Sequence, residues 1–249
     1  FGRVGRRYGL ACDNVRSIDI VTSDGRLLKA SDDENADLFW ALRGGGGNFG
    51  VATAFEYRLH PMNPSVLAGE IAWPIARARD VLEFYAEFSA QAPDELTLDA
   101  STFRSPDGLG IAIDACWCAD FGKGEKVLKP LRSFGSPMVD TIKPMSYVAL
   151  QSSNDMPNAH GLRFYTKSGF FTNLTPSIID ALVHAYELAA KEGFKLFVQH
   201  AGGGIGRRPL QSSAFPNRRS NYWMMLISGW SDPAEDEQRI SVLRNAWKH

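Results

Sequence analysis

The run Arg43-Gly44-Gly45-Gly46-Gly47-Asn48-Phe49-Gly50 constrains this chain more than any other feature. Each glycine loses more backbone entropy on folding than any other residue would. Neither a helix nor a strand is expected to pass through four of them. A chain keeps such a run where the backbone turns tightly, or where something flat or anionic approaches the main chain. An amphipathic segment, 37–42, leads in and an apolar segment, 51–57, leads out. Two readings stay open on spacing alone. One is a long C-cap with a tight helix-to-strand turn; the other is a loop whose free N–H groups line a phosphate or an adenine edge.

The order of elements excludes two common phosphate sites. A dinucleotide fingerprint follows a strand and opens a helix. Here the glycines follow a helix and open a strand, which argues against a nicotinamide dehydrogenase. No Gly-Lys-Ser/Thr follows, so a P-loop fails as well. At 249 residues, 44% hydrophobic and 22% charged, the composition is that of a globular protein with room for one large or two modest domains. A net charge of −1 provides no global field toward nucleic acid or an anionic membrane. No apolar run reaches the roughly 18–20 residues needed to span a bilayer. Three cysteines, Cys12, Cys116 and Cys118, are too few and too odd for a disulfide framework, so a reducing, cytoplasmic compartment is expected. On a strand, Cys116 and Cys118 share one face and Trp117 takes the other. Buried packing is expected of them, since no histidine stands at zinc-ligand spacing; no metal site is expected.

Along the chain, residues 1–10 show no helix or strand start and read as loop. The C-terminus stops inside a helical pattern, so the chain is expected to be a piece of a longer protein. Residues 15–21 and 27–30 read as strands joined at Asp24-Gly25, a hairpin signal. Ser31 and Asn35 are candidate N-caps for a short helix over 36–42, with Gly44 as its C-terminal glycine. A strand over 51–59 follows. His60-Pro61-Met62-Asn63-Pro64 interrupts both helix and sheet, and a domain boundary is placed there, giving 1–62 and 63–249. In the second part, strands are expected at 66–73, 96–104, 109–118, 138–142, 163–172, 195–200 and 222–230. Helices are expected at 75–92, 122–134, 176–192 and 233–247. Thr175-Pro176 supplies a cap followed by proline in the first turn. Residues 144–153 receive no assignment. The class is α+β, with an antiparallel sheet covered by helices on one face.

Two segments together carry a resemblance. Arg6-Arg7-Tyr8-Gly9-Leu10-Ala11-Cys12-Asp13-Asn14-Val15, the Asp-Gly hairpin, and Asn35-Ala36-Asp37-Leu38-Phe39-Trp40-Ala41-Leu42-Arg43 running into the glycines occur in that order. The string resembles the latter part of the PCMH-type FAD-binding domain of FAD-linked oxidases of the vanillyl-alcohol-oxidase superfamily, in particular the berberine-bridge-enzyme-like group with its bacterial 6-hydroxynicotine oxidases. The likeness is dense over 1–61 and thinner beyond. There Lys167-Ser168, Gly202-Gly203-Gly204, Ser213-Ala214-Phe215-Pro216-Asn217-Arg218, Tyr222 and Trp230 resemble the substrate domain.

The resemblance implies an FAD site built largely from backbone groups. Asp13, Asn14 and Val15, with Gly47, Asn48, Phe49, Gly50, Val51 and Ala52, would lie against the adenosine diphosphate half. Phe1 would end the glycine-rich segment that approaches the flavin. Ala52 is smaller than the aliphatic residue usual there. The pyrophosphate loop and any covalently linking His or Cys would precede Phe1, and the closing catalytic segment would follow His249. Hydride would pass from a small alcohol, amine or sugar to flavin N5, with dioxygen as reoxidant. Tyr165, Lys167, His200, Arg218, Arg219 and Tyr222 are the candidate substrate-facing residues; Tyr165, Lys167 and Tyr222 are the catalytic candidates. Tyr165 and Lys167, two apart on a strand, share a face, and that face is expected to turn toward the flavin. A solvated or sheet-edge polar role is the plainer reading for each. The alternative for the whole is a non-catalytic small-molecule-binding module derived from such an enzyme.

Overall fold

The computed structural model describes residues 2–106, 108–153, 155 and 160–248. Asp107, between the strands expected at 96–104 and 109–118, and Phe1 lie outside the described residues. The chain forms two units, Phe1–Pro61 with Ala201–Ser220, and Met62–His200 with Asn221–His249. The segment 201–220, grouped by sequence with the second part, thus belongs to the first unit.

In the first unit, β1 (Val15–Val21) is flanked by β2 (Leu27–Ser31) and β3 (Val51–Tyr57), both antiparallel to it. The hairpin forms at the Asp-Gly pair: Gly25 takes φ 80° and its N–H donates to Thr22 O. Helix α2 (Ala36–Leu42) buries Phe39 against Ile18, Ile20 and Ala30. The capping differs from expectation. Ser31 Oγ accepts from the N–H groups of Asp33 and Glu34, closing a turn before the helix. Asn35 sits at the N-cap with φ 50°, but its amide donates to Lys29 O. All seven residues of β3 are exposed, including Val51, Phe55 and Tyr57.

Residues 5–8 correct the loop reading of the N-terminus: they form the one-turn helix α1 (Gly5–Tyr8). Its anchors are distant in sequence. The buried Arg6 guanidinium donates to Ala201 O, and Gly204 N–H donates to Arg6 O. Trp40 is tied to the same segment, its indole N–H donating to Gln211 O. A single turn cannot stabilise itself, and no local pattern betrays such partners.

One ion pair closes this unit. The Asp13 carboxylate receives Arg218 Nη1 at 3.1 Å and Nη2 at 2.5 Å, and Leu10 N–H at 2.9 Å. Arg218 Nη2 also donates to Ser213 Oγ at 2.6 Å. The two charged side chains are 3% and 0% exposed, so water supplies almost none of their solvation. Arg218 is therefore a structural residue and is corrected out of the substrate-facing set.

The second unit is one antiparallel sheet. Its strands are β4 (Ser65–Pro74), β5 (Leu96–Ser105), β6 (Gly108–Trp117), β7 (Val139–Asp140), β8 (Lys143–Ser146), β9 (Arg163–Phe171), β10 (Lys195–His200) and β11 (Tyr222–Trp230). The spatial order is β7-β4-β6-β5-β10-β11-β9, with β8 also on β4. Helices α3 (Ala78–Ala90), α4 (Phe121–Ser133), α6 (Pro176–Glu192) and α7 (Asp236–Ala246) share one core with alternate strand residues such as Leu67, Trp73, Leu98, Ile113, Val198 and Leu226. Tyr85 of α3 spans that core and donates to Leu98 O at 3.0 Å. The unassigned residues 144–153 hold most of β8 and the short helix α5 (Tyr147–Ser152), capped by Ser146. Cys116 and Cys118 are buried free thiols. No helix among the described residues is long and apolar enough to cross a membrane.

Breaking a buried pair by removing one partner costs about 3–5 kcal/mol, because the other charge is left without compensation. Asp13→Ala and Arg218→Met should each lower the stability of the first unit by that order in denaturant titration. The double variant should lose less than the sum of the two. Additive losses would show that the pair contributes no coupling.

Candidate functional site

The glycine loop can be read residue by residue. A side chain at Gly44 would collide with the backbone of Phe215, at Gly45 with Ala41 O, and at Gly50 with Val21 O. Those three glycines serve the packing of the unit itself. Gly46, at φ 82°, serves the turn. Gly47 differs: its φ lies outside the left-handed range and nothing stands within 4 Å of where a Cβ would be. The fold gives no reason for its lack of a side chain.

The loop also carries unspent donors. Gly45 N–H donates to Ala41 O, but the N–H groups of Gly46, Gly47 and Asn48 make no hydrogen bond to the described residues. All three residues are exposed. A succession of exposed N–H groups without an internal acceptor is suited to receive an anion. Beyond it, Val51 is 69% exposed and Ala52 is exposed, an apolar patch at the loop's exit.

Asp13 and Asn14 have other duties. Asp13 is held by Arg218, as described. The Asn14 amide donates to Tyr8 O and Leu10 O, its Oδ1 lies 2.6 Å from His60 Nε2, and its carbonyl accepts Arg58 N–H. Both side chains thus close the turn into β1, and Val15 opens that strand opposite Tyr57. Any ligand contact from Asp13, Asn14 or Val15 falls to backbone. Phe1 lies outside the described residues.

In the second unit the sheet register aligns a row that sequence reading missed. Glu70, Asp114, Asp99, Gln199, Trp223 and Phe170 are successive cross-strand partners on β4, β6, β5, β10, β11 and β9. They stand on the face opposite the helix-packed core. Like charges directly opposite on a sheet are destabilising, and here three carboxylates adjoin. Asp99 is fully buried and its Oδ1 accepts His200 N–H at 3.0 Å. Asp114 Oδ2 accepts from Ser101 Oγ at 2.9 Å. Burial, and then the Asp114 charge, push the Glu70 carboxyl above its ordinary range. Trp223 and Phe170 stack at 6.3 Å. The partners in the row lie 15 to 100 residues apart in sequence, so no single-strand signal could have found it.

The sequence candidates of this unit fall on the other face. Tyr165 and Lys167 do share a face, and it is the one packed by α7: Arg244 Nε donates to the Tyr165 hydroxyl at 3.2 Å. Tyr222 is buried, with its hydroxyl 2.7 Å from Ser89 Oγ and its ring stacked on His200 and Phe171. Tyr222 and His200 are thereby core residues and not substrate-facing ones. Arg219 is exposed in the first unit. No group of three metal-ligating side chains occurs among the described residues.

A carboxyl whose pKa rises on folding holds its proton more tightly in the native state. The stability tied to Glu70 is therefore fully present below its ordinary pKa and falls as pH climbs through the raised value. Glu70→Gln should match the parent in thermal stability at acid pH and exceed it at neutral pH. Parallel pH profiles for the two would contradict the assignment.

No family model matches the chain. An FAD-linked oxidoreductase of Dictyostelium discoideum is 31% identical over 232 residues, covering 91% of this chain and 50% of the relative. The FAD-linked oxidoreductase aurO of Gibberella zeae is 32% identical over 242 residues, covering 96% and 47%. The chain thus spans about half the length of the curated relatives it matches. In structure it is similar over its whole length to 55% of a berberine-bridge-enzyme-like protein from Arabidopsis thaliana, with a TM-score of 0.84 at 18% identity. The sequence relatives and the fold agree: the chain is similar to about half of an FAD-linked oxidoreductase, and its fold is that of the matching half of berberine-bridge-enzyme-like proteins.

Proposed function

We propose that this chain works as part of an FAD-dependent oxidase acting on a small alcohol, amine or sugar. The observation that carries the proposal is the loop 46–48: three consecutive exposed N–H groups with no internal acceptor, around a glycine its own fold does not require. The residues present fit the adenosine diphosphate half of FAD. Gly46, Gly47 and Asn48 would receive phosphate or adenine-edge oxygen and nitrogen through the main chain. Gly50, Val51 and Ala52 would offer backbone and small apolar surface. Asp13 and Asn14 would shape the neighbouring turn into Val15. Residues 1–62 act in this reading as the closing part of a PCMH-type flavin domain, and 63–249, less the returning segment 201–220, as the substrate domain.

When bound, FAD supplies the redox chemistry, taking hydride at N5 and returning the electrons to dioxygen. The chain's own contribution is placement and proton handling. Asp114, half-buried on the sheet face opposite the helices, is a carboxylate able to accept a proton from a substrate O–H or N–H, with the buried Asp99 behind it; Glu70, its pKa raised, is able to hold one. The stacked Trp223 and Phe170 offer a flat apolar surface beside them. This row is favoured over Tyr165, Lys167 and Tyr222 because Tyr165 and Lys167 lie on the face packed by helix α7 and Tyr222 is buried in the core.

The test is titration of the isotope-labelled chain with FAD and, separately, with ADP, following the amide signals of Gly46, Gly47 and Asn48. Both ligands should shift these signals saturably. Gly47→Val, whose Cβ meets no atom within 4 Å, should weaken binding about tenfold, equivalent to roughly 1.4 kcal/mol. No saturable shift with either ligand would overturn the reading.

A further inference from the structure

We propose that the concavity between β9 and α7 binds a small aromatic carboxylate. This site lies on the helix side of the second unit's sheet and does not rest on the flavin reading. Its volume is about 660 Å³, within the range of small-molecule pockets. Lys167 of β9 and Arg244, Trp247 and Lys248 at the end of α7 line it, with Asp236 and Glu237 at the helix start.

The charges in it are unbalanced. Asp236 is already neutralised: Arg163 holds it through Nε at 2.6 Å and Nη2 at 2.5 Å, and Trp230 Nε1 donates to it at 2.7 Å. Lys167, Arg244 and Lys248 form no ion pair with any described residue. Glu237 stands seven residues before Arg244, about 10 Å along the helix axis, and bridges to none of them. Three cations thus converge on one hollow, and among the described residues that line it the one carboxylate not already held by Arg163 is Glu237. The Tyr165 hydroxyl sits between two of them, accepting from Arg244, and both cations draw its pKa down. That environment stabilises negative charge. A guanidinium fork recognises the two oxygens of a carboxylate better than a point charge does.

The apolar half of the ligand is set by Trp247. Its ring lies against the strand at Gly169, where a Cβ would come within 3.1 Å of it. Ile240 of α7 also lines the hollow, adding apolar surface beside the cations. A ring stacked there would carry a carboxylate toward Arg244 and Lys167. Phenylalanine-like amino acids fit less well, because their ammonium would meet the same cations.

The test is calorimetric titration of the chain with benzoate and with benzamide, its neutral isostere, together with amide-shift mapping. Benzoate should bind saturably with shifts confined to β9 and α7, and benzamide at least about tenfold more weakly. Arg244→Gln and Lys167→Gln, both on the rim, should each weaken benzoate about tenfold while keeping the parent's melting temperature. Equal binding of benzamide, benzoate shifts elsewhere, undiminished affinity in both variants, or no saturable binding would each overturn the proposal.

Discussion

The buried pair between Asp13 and Arg218 is the interaction on which the first unit depends. It joins residues 205 positions apart, and it does so where neither charge can turn to water. Such a pair is not a cheap source of stability, because desolvation offsets much of its attraction. Its effect is to fix geometry. With Ser213 and the Leu10 N–H it locks the turn before β1 to the returning segment 201–220. The same segment receives Arg6 and Trp40 and presses Phe215 against Gly44. The glycine loop therefore begins from a point fixed at both sides.

From that fixed point the loop's composition acquires a division of labour. Gly44, Gly45 and Gly50 are small because backbone lies where their side chains would go. Gly46 is glycine because of its dihedral angle. Only Gly47 lacks an internal reason, and it sits among the N–H groups that find no partner in the fold. The two readings left open by spacing are therefore both present: a tight helix-to-strand turn at the ends and an open donor surface in the middle. The main-chain N–H groups of Gly46, Gly47 and Asn48 lie outside the turn's own hydrogen bonding, which makes them available to an acceptor from outside.

Much of the fold was legible because its signals are local. The helix over 36–42, the Thr175-Pro176 start of α6 with Gly193 at φ 81°, and the strands at 195–200 and 222–230 match their expected limits. The one-sided helix cover follows from alternation in β4, β5 and β6. What escaped was non-local. Helix α1 exists through contacts with residues 201 and 204. Arg218 looked like an exposed motif residue and is sealed against Asp13. Tyr165 and Lys167 were rightly placed on one face, but the choice of face depends on register with β11, which no single strand reveals. The carboxylate row has the same origin, since it exists only when β4, β6, β5 and β10 lie side by side.

The central claim is that the main chain of residues 46–48 is a ligand surface, and hydrogen exchange at those three amides measures it directly. Without ligand the three should exchange at rates near those of an open loop. With FAD added, all three should slow together, while Gly45, whose N–H is already bonded to Ala41 O, should change little. Exchange at Gly46, Gly47 and Asn48 that is unaffected by saturating FAD would contradict the account.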